Sequence, residues 1–371
     1  MKKVIAVFGT RPEAIKMCPL VKELKTRKQI ETIVCVTGQH REMLNQVLEV
    51  FAVVPDYDLQ IMKTGQTLFD ITTKILEGVK EVVLKENPDL VLVHGDTSTT
   101  FATALACFYL NVPVGHVEAG LRTYDMHNPY PEEFNRQAVG LVSTYNFAPT
   151  KRAADNLLRE GKDPSTIYVT GNTVVDAMKT TVNECFEHPE MKWVGKDKLI
   201  FITAHRRENV GQPMRNMFRA IRRILDEHKD CKAVYPIHMN PAVRQIADVV
   251  FDECDNIHII EPVDVIACHN FEAKCYICLT DSGGIQEECP TYGKPVLVMR
   301  RTTERPEGVD AGTLRLVGTE EENIYKNIKD LLENEESYRK MAQANNPYGD
   351  GNASKRIADI IEFGEYELWT G

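Results

Sequence analysis

No stretch of this 371-residue sequence stays apolar for the ~20 residues a membrane span requires. The short apolar run in the opening MKKVIAVFG is too brief for a secretory leader. A basic surplus is missing as well: 44 Lys and Arg stand against 54 Asp and Glu, a formal charge of −10. That argues against nucleic acid as a partner, because a phosphate backbone demands a basic surface, yet it leaves room for a pocket that takes one small anion. The ten cysteines show no framework spacing, which predicts a reducing cytoplasm and mostly buried thiols. One C-x-x-C occurs, Cys275 and Cys278, with Cys268 and His269 upstream. Reading CYICLT as a strand sends its two thiols to opposite faces and argues against a shared zinc. No G-x-G-x-x-G follows a strand, and neither a Walker motif nor H-E-x-x-H occurs. These absences argue against nicotinamide hydride transfer, P-loop ATP hydrolysis and zinc hydrolysis, and neither cofactor nor metal is expected.

What is present is alternation. Short apolar runs at 4–8, 32–36, 90–94, 114–117, 145–148 and 167–169 are each followed by a helix-like segment. A second series begins after the polar stretch near 188–198, with runs at 199–203, 233–237, 257–260, 276–280 and 296–298. A β-α alternation of this kind predicts parallel sheets with helices on both faces, and 371 residues suit two such domains. Ligands of open α/β sheets bind beyond the carboxyl ends of the strands, so the residues just after each strand carry the functional information.

Those residues are mostly ionisable. GTRPEAIK places Arg11 and Lys16 after the first strand, where a bare glycine loop is usual. Asp96 follows the strand ending at VH and reads locally as a cap for the next helix. Glu118 sits at a strand end where no helix needs it, and Glu132 follows Pro131 at a helix start, where acidic residues also suit the dipole. Three carboxylates on one rim read as proton-transfer groups. In the second half, TAHRREN offers His205, Arg206 and Arg207, three cations suited to a diphosphate or to a plain basic loop. In DSGGIQEE, Ser282 reads as a helix cap, and Gly283 and Gly284 permit close backbone approach to an anion. Local chemistry leaves that turn open between anion site and simple cap. Glu288 lies within reach of the sugar of a nucleotide held there, and Arg305 adds a cation in TTERPEG.

Taken in order, GTRPEAIKM, GQHREM, VHGDTSTT, GHVEAGLRT, YPEEFNR, TAHRREN, YPIHMNP, LTDSGGIQEE and TTERPEG span nearly the whole chain, and together they resemble the bacterial non-hydrolysing UDP-N-acetylglucosamine 2-epimerases. The resemblance implies an α/β fold of two Rossmann-like, doubly wound domains, GT-B-like, with the active site in the interdomain cleft. The first domain would be 1–171 with a terminal helix, 353–371, returning to it; the second, UDP-binding domain would be 172–352. It implies interconversion of UDP-GlcNAc and UDP-ManNAc through elimination of UDP to 2-acetamidoglucal and re-addition, in a homodimer serving surface-polysaccharide synthesis. Asp96, Glu118, Glu132 and His205 would be catalytic. Arg11, Lys16, Arg207, Ser282, Gly283, Gly284, Glu288 and Arg305 would bind the substrate. Gln39, His40, Glu42, Arg206 and His238, with Glu132, match the positions of a regulatory UDP-GlcNAc site, from which this chain departs by carrying Gly65 where relatives often have arginine. The rivals are a hydrolysing 2-epimerase, a GT-B glycosyltransferase and a silent UDP-sugar sensor. The QHR and HMNP segments speak against the first, and the rim carboxylates against the other two.

Overall fold

A computed structural model describes residues 1–38, 41–63 and 65–369, with the side chains of 41–43 left aside. The chain forms two compact units, Met1–Thr180 with Tyr348–Gly371, and Thr181–Pro347. The first holds strands β1 (Lys2–Phe8), β2 (Ile30–Val36), β3 (Tyr57–Asp58), β4 (Leu90–His94), β5 (Val114–Val117), β6 (Tyr145–Ala148) and β7 (Ile167–Val169). The second holds β8 (Lys198–Thr203), β9 (Cys231–Pro236), β10 (Ile257–Ile260), β11 (Ile277–Thr280), β12 (Val296–Val298) and β13 (Leu314–Leu316).

The strands pair in parallel throughout the described residues. The first sheet runs β3-β2-β1-β4-β5-β6-β7 and the second β10-β9-β8-β11-β12-β13. Both are the doubly wound nucleotide-binding order, built out from a central first strand in two directions. The central strands are apolar and buried, as a sheet covered on both faces demands: Val4–Phe8 and Leu199–Ile202 expose at most 2 % each. The sequence reading lacks β3 and β13. Both are edge strands of two or three residues, too short to show a period.

The unit boundary differs from the expected 171/172. The helix Thr173–Thr181 is tied to the first unit by several bonds. Asn172 N–H donates to Tyr348 O at 2.6 Å, Lys179 Nζ donates to Gly351 O at 3.0 Å, and Asp176 accepts from the N–H groups of Ala353 and Ser354 at 3.2 and 2.8 Å. The same bonds bring the chain back to the first unit at Tyr348, before the helix Ala353–Phe363 begins. That helix lies against the helix Arg11–Lys25, where Arg27 pairs with Asp359 at 2.7 Å and Glu362 at 3.2 Å.

Candidate active site

The strand order reverses direction between β1 and β4 in the first sheet and between β8 and β11 in the second, and ligands of open α/β sheets bind at such points. At the first reversal, Thr10 caps the helix Arg11–Lys25 and Glu13 closes a capping box. Glu13 does more than cap. Buried at 2 % exposure, it accepts from Gly9 N–H at 3.1 Å, Thr10 N–H at 2.7 Å, Thr97 Oγ1 at 2.7 Å and Thr100 Oγ1 at 3.3 Å. One carboxylate therefore joins the loop after β1 to the loop after β4. The T-x-x-E spacing is the sequence signal that locates it.

Glu118, just past β5, has φ +65°, a left-handed conformation that costs a non-glycine residue about 1–3 kcal/mol unless its surroundings hold it. They do. Buried Lys16 pairs with it, Asn172 Nδ2 donates to Oε2 at 2.9 Å, and the His94 ring lies 3.8 Å away. Burial pushes His94 down to about 4, so the ring is neutral and Lys16 is the cation facing the carboxylate. Asn172 in turn is oriented by Val174 N–H, which donates to its Oδ1 at 3.1 Å. Asp96 does not cap the following helix: Thr97 takes that place, accepting from Thr100 N–H at 3.2 Å. Asp96 instead pairs with Arg136, and Asn135 Nδ2 donates to its backbone oxygen at 2.8 Å. Beneath the turn, His116 Nε2 donates to Gly95 O at 2.7 Å, and burial holds that ring neutral with a pKa of about 3.

The two adjacent glutamates at the start of the helix Glu132–Val142 divide their work. Glu133 is fully buried and accepts from Thr123 and Tyr124 N–H, both at 3.0 Å, from Gln137 at 2.8 Å and from Arg136 at 3.1 Å. Glu132 Oε2 is enclosed and meets no hydrogen-bond partner among the described residues.

At the second reversal the organising group is Asp281, which is fully buried. It accepts from His205 N–H at 3.0 Å, Arg206 N–H at 3.0 Å and Asn209 Nδ2 at 3.0 Å, while Arg206 Nε donates to its backbone oxygen at 2.9 Å. This brace presents His205, which stacks on His238 with ring centres 5.7 Å apart. Partial burial lowers the His205 pKa and Asp281 opposes it; with 42 % of the side chain open to solvent, the shift carries no energetic weight. Arg207 is exposed.

Ser282 is not a helix cap. The helix Ile285–Glu288 starts from Gly284 with no side-chain cap, and Ser282 N–H instead donates to Thr280 Oγ1 at 2.9 Å. With four residues, that helix offers little macrodipole, so an anion here relies on close approach and on arginines. A Cβ on Gly283 would lie 2.8 Å from Arg305 Nη1 and 2.9 Å from Glu304 Oε1, so a side chain there would have to displace the Arg305–Glu304 pair. Arg305 is held by Glu287 Oε1 at 2.7 Å and Glu304 at 2.8 Å; Glu304 also takes Arg300 at 2.7 Å and Arg206 at 3.3 Å. Burial works to raise the Glu304 pKa, but Arg305, Arg300 and Arg206 drag it down to about 2. Arg305, Arg300 and Arg206 thus converge on Glu304 beside the glycine turn, with Arg305 shared by Glu287 and Arg206 by Glu208. A cavity of about 320 Å³ opens next to this cluster, lined by Glu208, Asn209, Pro213, Arg300, Arg301, Thr302 and Thr319, and neither His205 nor Glu288 lines it.

Gln39, His40 and the Glu42 side chain lie outside the described residues. The C-x-x-C face argument fails. Cys275 ends the helix Val265–Lys274 and precedes β11, so alternation does not apply, and the thiols of Cys275 and Cys278 both meet that of Cys289. Among the described residues no group of three or more His, Cys, Asp or Glu is placed to hold a metal, and no helix is long and apolar enough to cross a membrane.

Comparison with known proteins gives one answer by sequence and by structure. The family model described as UDP-N-acetylglucosamine 2-epimerase matches residues 22–362. The UDP-N-acetylglucosamine 2-epimerase of Bacillus subtilis is 58 % identical over 361 residues, 97 % of this chain and 95 % of the relative. Among solved structures, S. aureus MnaA with UDP is 51 % identical with a TM-score of 0.93, covering 100 % of both chains. The Neisseria meningitidis UDP-GlcNAc 2-epimerase bound to UDP-GlcNAc is 47 % identical with a TM-score of 0.89, covering 97 % of this chain and 99 % of that one.

Proposed function

The chain belongs to the UDP-N-acetylglucosamine 2-epimerase family, and from that premise we propose that it interconverts UDP-GlcNAc and UDP-ManNAc by eliminating UDP across C1–C2 and adding it back. In the first step a rim carboxylate takes the C2 proton, the C–H electron pair becomes the C1=C2 bond of 2-acetamidoglucal, and the C1–O pair leaves with UDP. In the second, a UDP oxygen rejoins C1 and a proton reaches C2 on the opposite face. The C2 proton is not acidified by a carbonyl, so the departing diphosphate needs strong charge stabilisation. His205, Arg11, Arg207, Arg305 and the 282–284 turn supply it in this reading, with Glu288 on the ribose. Two faces need two acid/base groups, drawn from Asp96, Glu118 and Glu132, with Lys16 keeping Glu118 in place.

The observation that carries the reading is Glu118. A carboxylate held in a left-handed conformation by a buried lysine and an asparagine is a costly arrangement for stability and a useful one for aiming a charge. Incubation with UDP-GlcNAc in D₂O tests it. Deuterium at C2 of recovered UDP-sugar is expected. Free ManNAc would indicate a hydrolase, and no exchange a transferase or a sensor.

The same reading includes a second UDP-GlcNAc, bound through Gln39, His40, Glu42, Glu132, Arg206 and His238, that activates the reverse reaction. A homodimer completes it. Exposed Phe69, Leu84, Phe108, Tyr109 and Leu141, on helices of the first unit, support an apolar subunit contact. Ten free cysteines fit a reducing cytoplasm.

A further inference from the structure

Under the second sheet's glycine turn lies a buried acid that this mechanism does not use. Glu272, on the helix Val265–Lys274, is fully buried. Its Oε1 accepts from Cys268 Sγ at 3.2 Å, while its Oε2 is enclosed and met by no N–H or hydroxyl donor among the described residues. The side chain faces the carboxyl of Glu288, close enough for the pair to share a hydrogen bond if one of them carries a proton. Two ionised carboxylates cannot share a hydrogen bond; one must carry a proton. Glu272 is the enclosed member, whereas Glu288 is half-buried, so the proton belongs on Glu272. Burial, with Glu288 and Cys278 adding to it, raises the Glu272 pKa well above the carboxylate range. Gly284 completes the fit: a Cβ there would lie 3.2 Å from Glu288 Oε1, so a side chain would crowd the carboxylate.

We propose that Glu272 is a positioning residue, a neutral carboxylic acid that donates its proton's hydrogen bond to Glu288 and so holds the Glu288 carboxylate in position to accept both hydroxyls of the ribose diol. The inference rests on the reading of Glu288 as the ribose ligand. A carboxylate has about four lone-pair sites. One taken by Glu272 leaves enough for a bidentate grip on the diol and fixes which way it points.

The test measures the affinities of UDP and 2′-deoxy-UDP by isothermal titration for the wild type, Glu272→Met, Glu272→Gln and Glu288→Gln. The wild type should prefer UDP by on the order of tenfold or more, the worth of a hydrogen bond to a charged group. Glu272→Met, close in size and without a donor, should bring the ratio towards one. Glu272→Gln, whose amide still donates, should keep it. If Glu288→Gln abolishes the preference while Glu272→Met retains it, the role of Glu272 is overturned and the nucleotide reading stands. If Glu288→Gln leaves the preference intact, or the wild type has none, the ribose assignment falls and the inference with it. A second measurement covers a poorly folding Glu272→Met. The infrared carbonyl band of a neutral carboxylic acid should be present in the wild type at neutral pH and absent in Glu272→Gln, and its absence from the wild type overturns the proposal.

Discussion

His94 gives a stability prediction whose size follows from its surroundings. The ring ends β4 with 4 % of its surface exposed, its Nε2 meets no hydrogen-bond partner among the described residues, and burial holds its pKa at about 4. In the unfolded chain an imidazole titrates near its ordinary value of about 6.5. Between the two values acid therefore protonates the unfolded chain and not the folded one. This stability is fully present above pH ~6.5, is lost as pH falls towards 4, and changes no further below that. Within that window each tenfold rise in acidity costs about 1.4 kcal/mol, so by about pH 5 this one ring removes about 2 kcal/mol. For a domain of this size that is roughly 4–8 °C in Tm. The informative substitution is His94→Gln, which removes the titrating group, adds no charge and keeps the volume close. Calorimetric scans from about pH 7.5 to about pH 5 should show the Tm of wild type falling relative to His94→Gln by that amount. His116 and the carboxylates are common to both proteins and cancel. A gap that stays constant across the range would mean that His94 takes its proton in the folded state, and the neutral ring beside Glu118 would be refuted.

Glu118→Gln should slow turnover by about 10²–10⁴-fold with little change in UDP affinity, as read by single-turnover kinetics and titration; near-normal turnover would remove Glu118 from proton transfer. Lys16→Met leaves the Glu118 carboxylate without its buried cation and should cost about 3–5 kcal/mol in denaturant unfolding of the first unit, together with activity. Glu13→Ala, which strips the bridge between the loops after β1 and β4, should destabilise by at least about 2 kcal/mol and lower kcat without loosening UDP. In the reverse direction, UDP-ManNAc alone should turn over slowly and added UDP-GlcNAc should accelerate it. Gly65→Arg should lower the concentration required, at a folding cost of about 1 kcal/mol because Gly65 has φ +76°, although open space surrounds it. Rapid reverse turnover with no response to UDP-GlcNAc would exclude regulation.

Much of this protein was legible in its sequence because the signals are local. The strands at β4, β5, β6 and β7 match the predicted runs residue for residue, because short, mostly apolar runs bounded by polar residues mark them. They do so even though β4, β5 and β6 bury His94, His116 and Asn146 and β7 is a half-buried edge strand. The charged residues after those strands could be placed on the carboxyl edges from the chain alone, because β-α alternation allows one hand of winding. The family followed from ordered motifs. What the tertiary structure decided is which group holds which. Asn172 reaches Glu118 across 54 positions of sequence, Arg136 reaches Asp96 across 40, and Asp281 braces a loop 76 positions away. Local reading gave Asp96 and Ser282 the role of caps, because a short polar side chain before a helix caps in most settings. A threonine one position on took the first role, and a turn whose helix starts later left the second empty. The Glu272 pair is the extreme case. A carboxylate's charge depends on its burial and on the partner it meets, and neither is a property of the residues beside it in the chain.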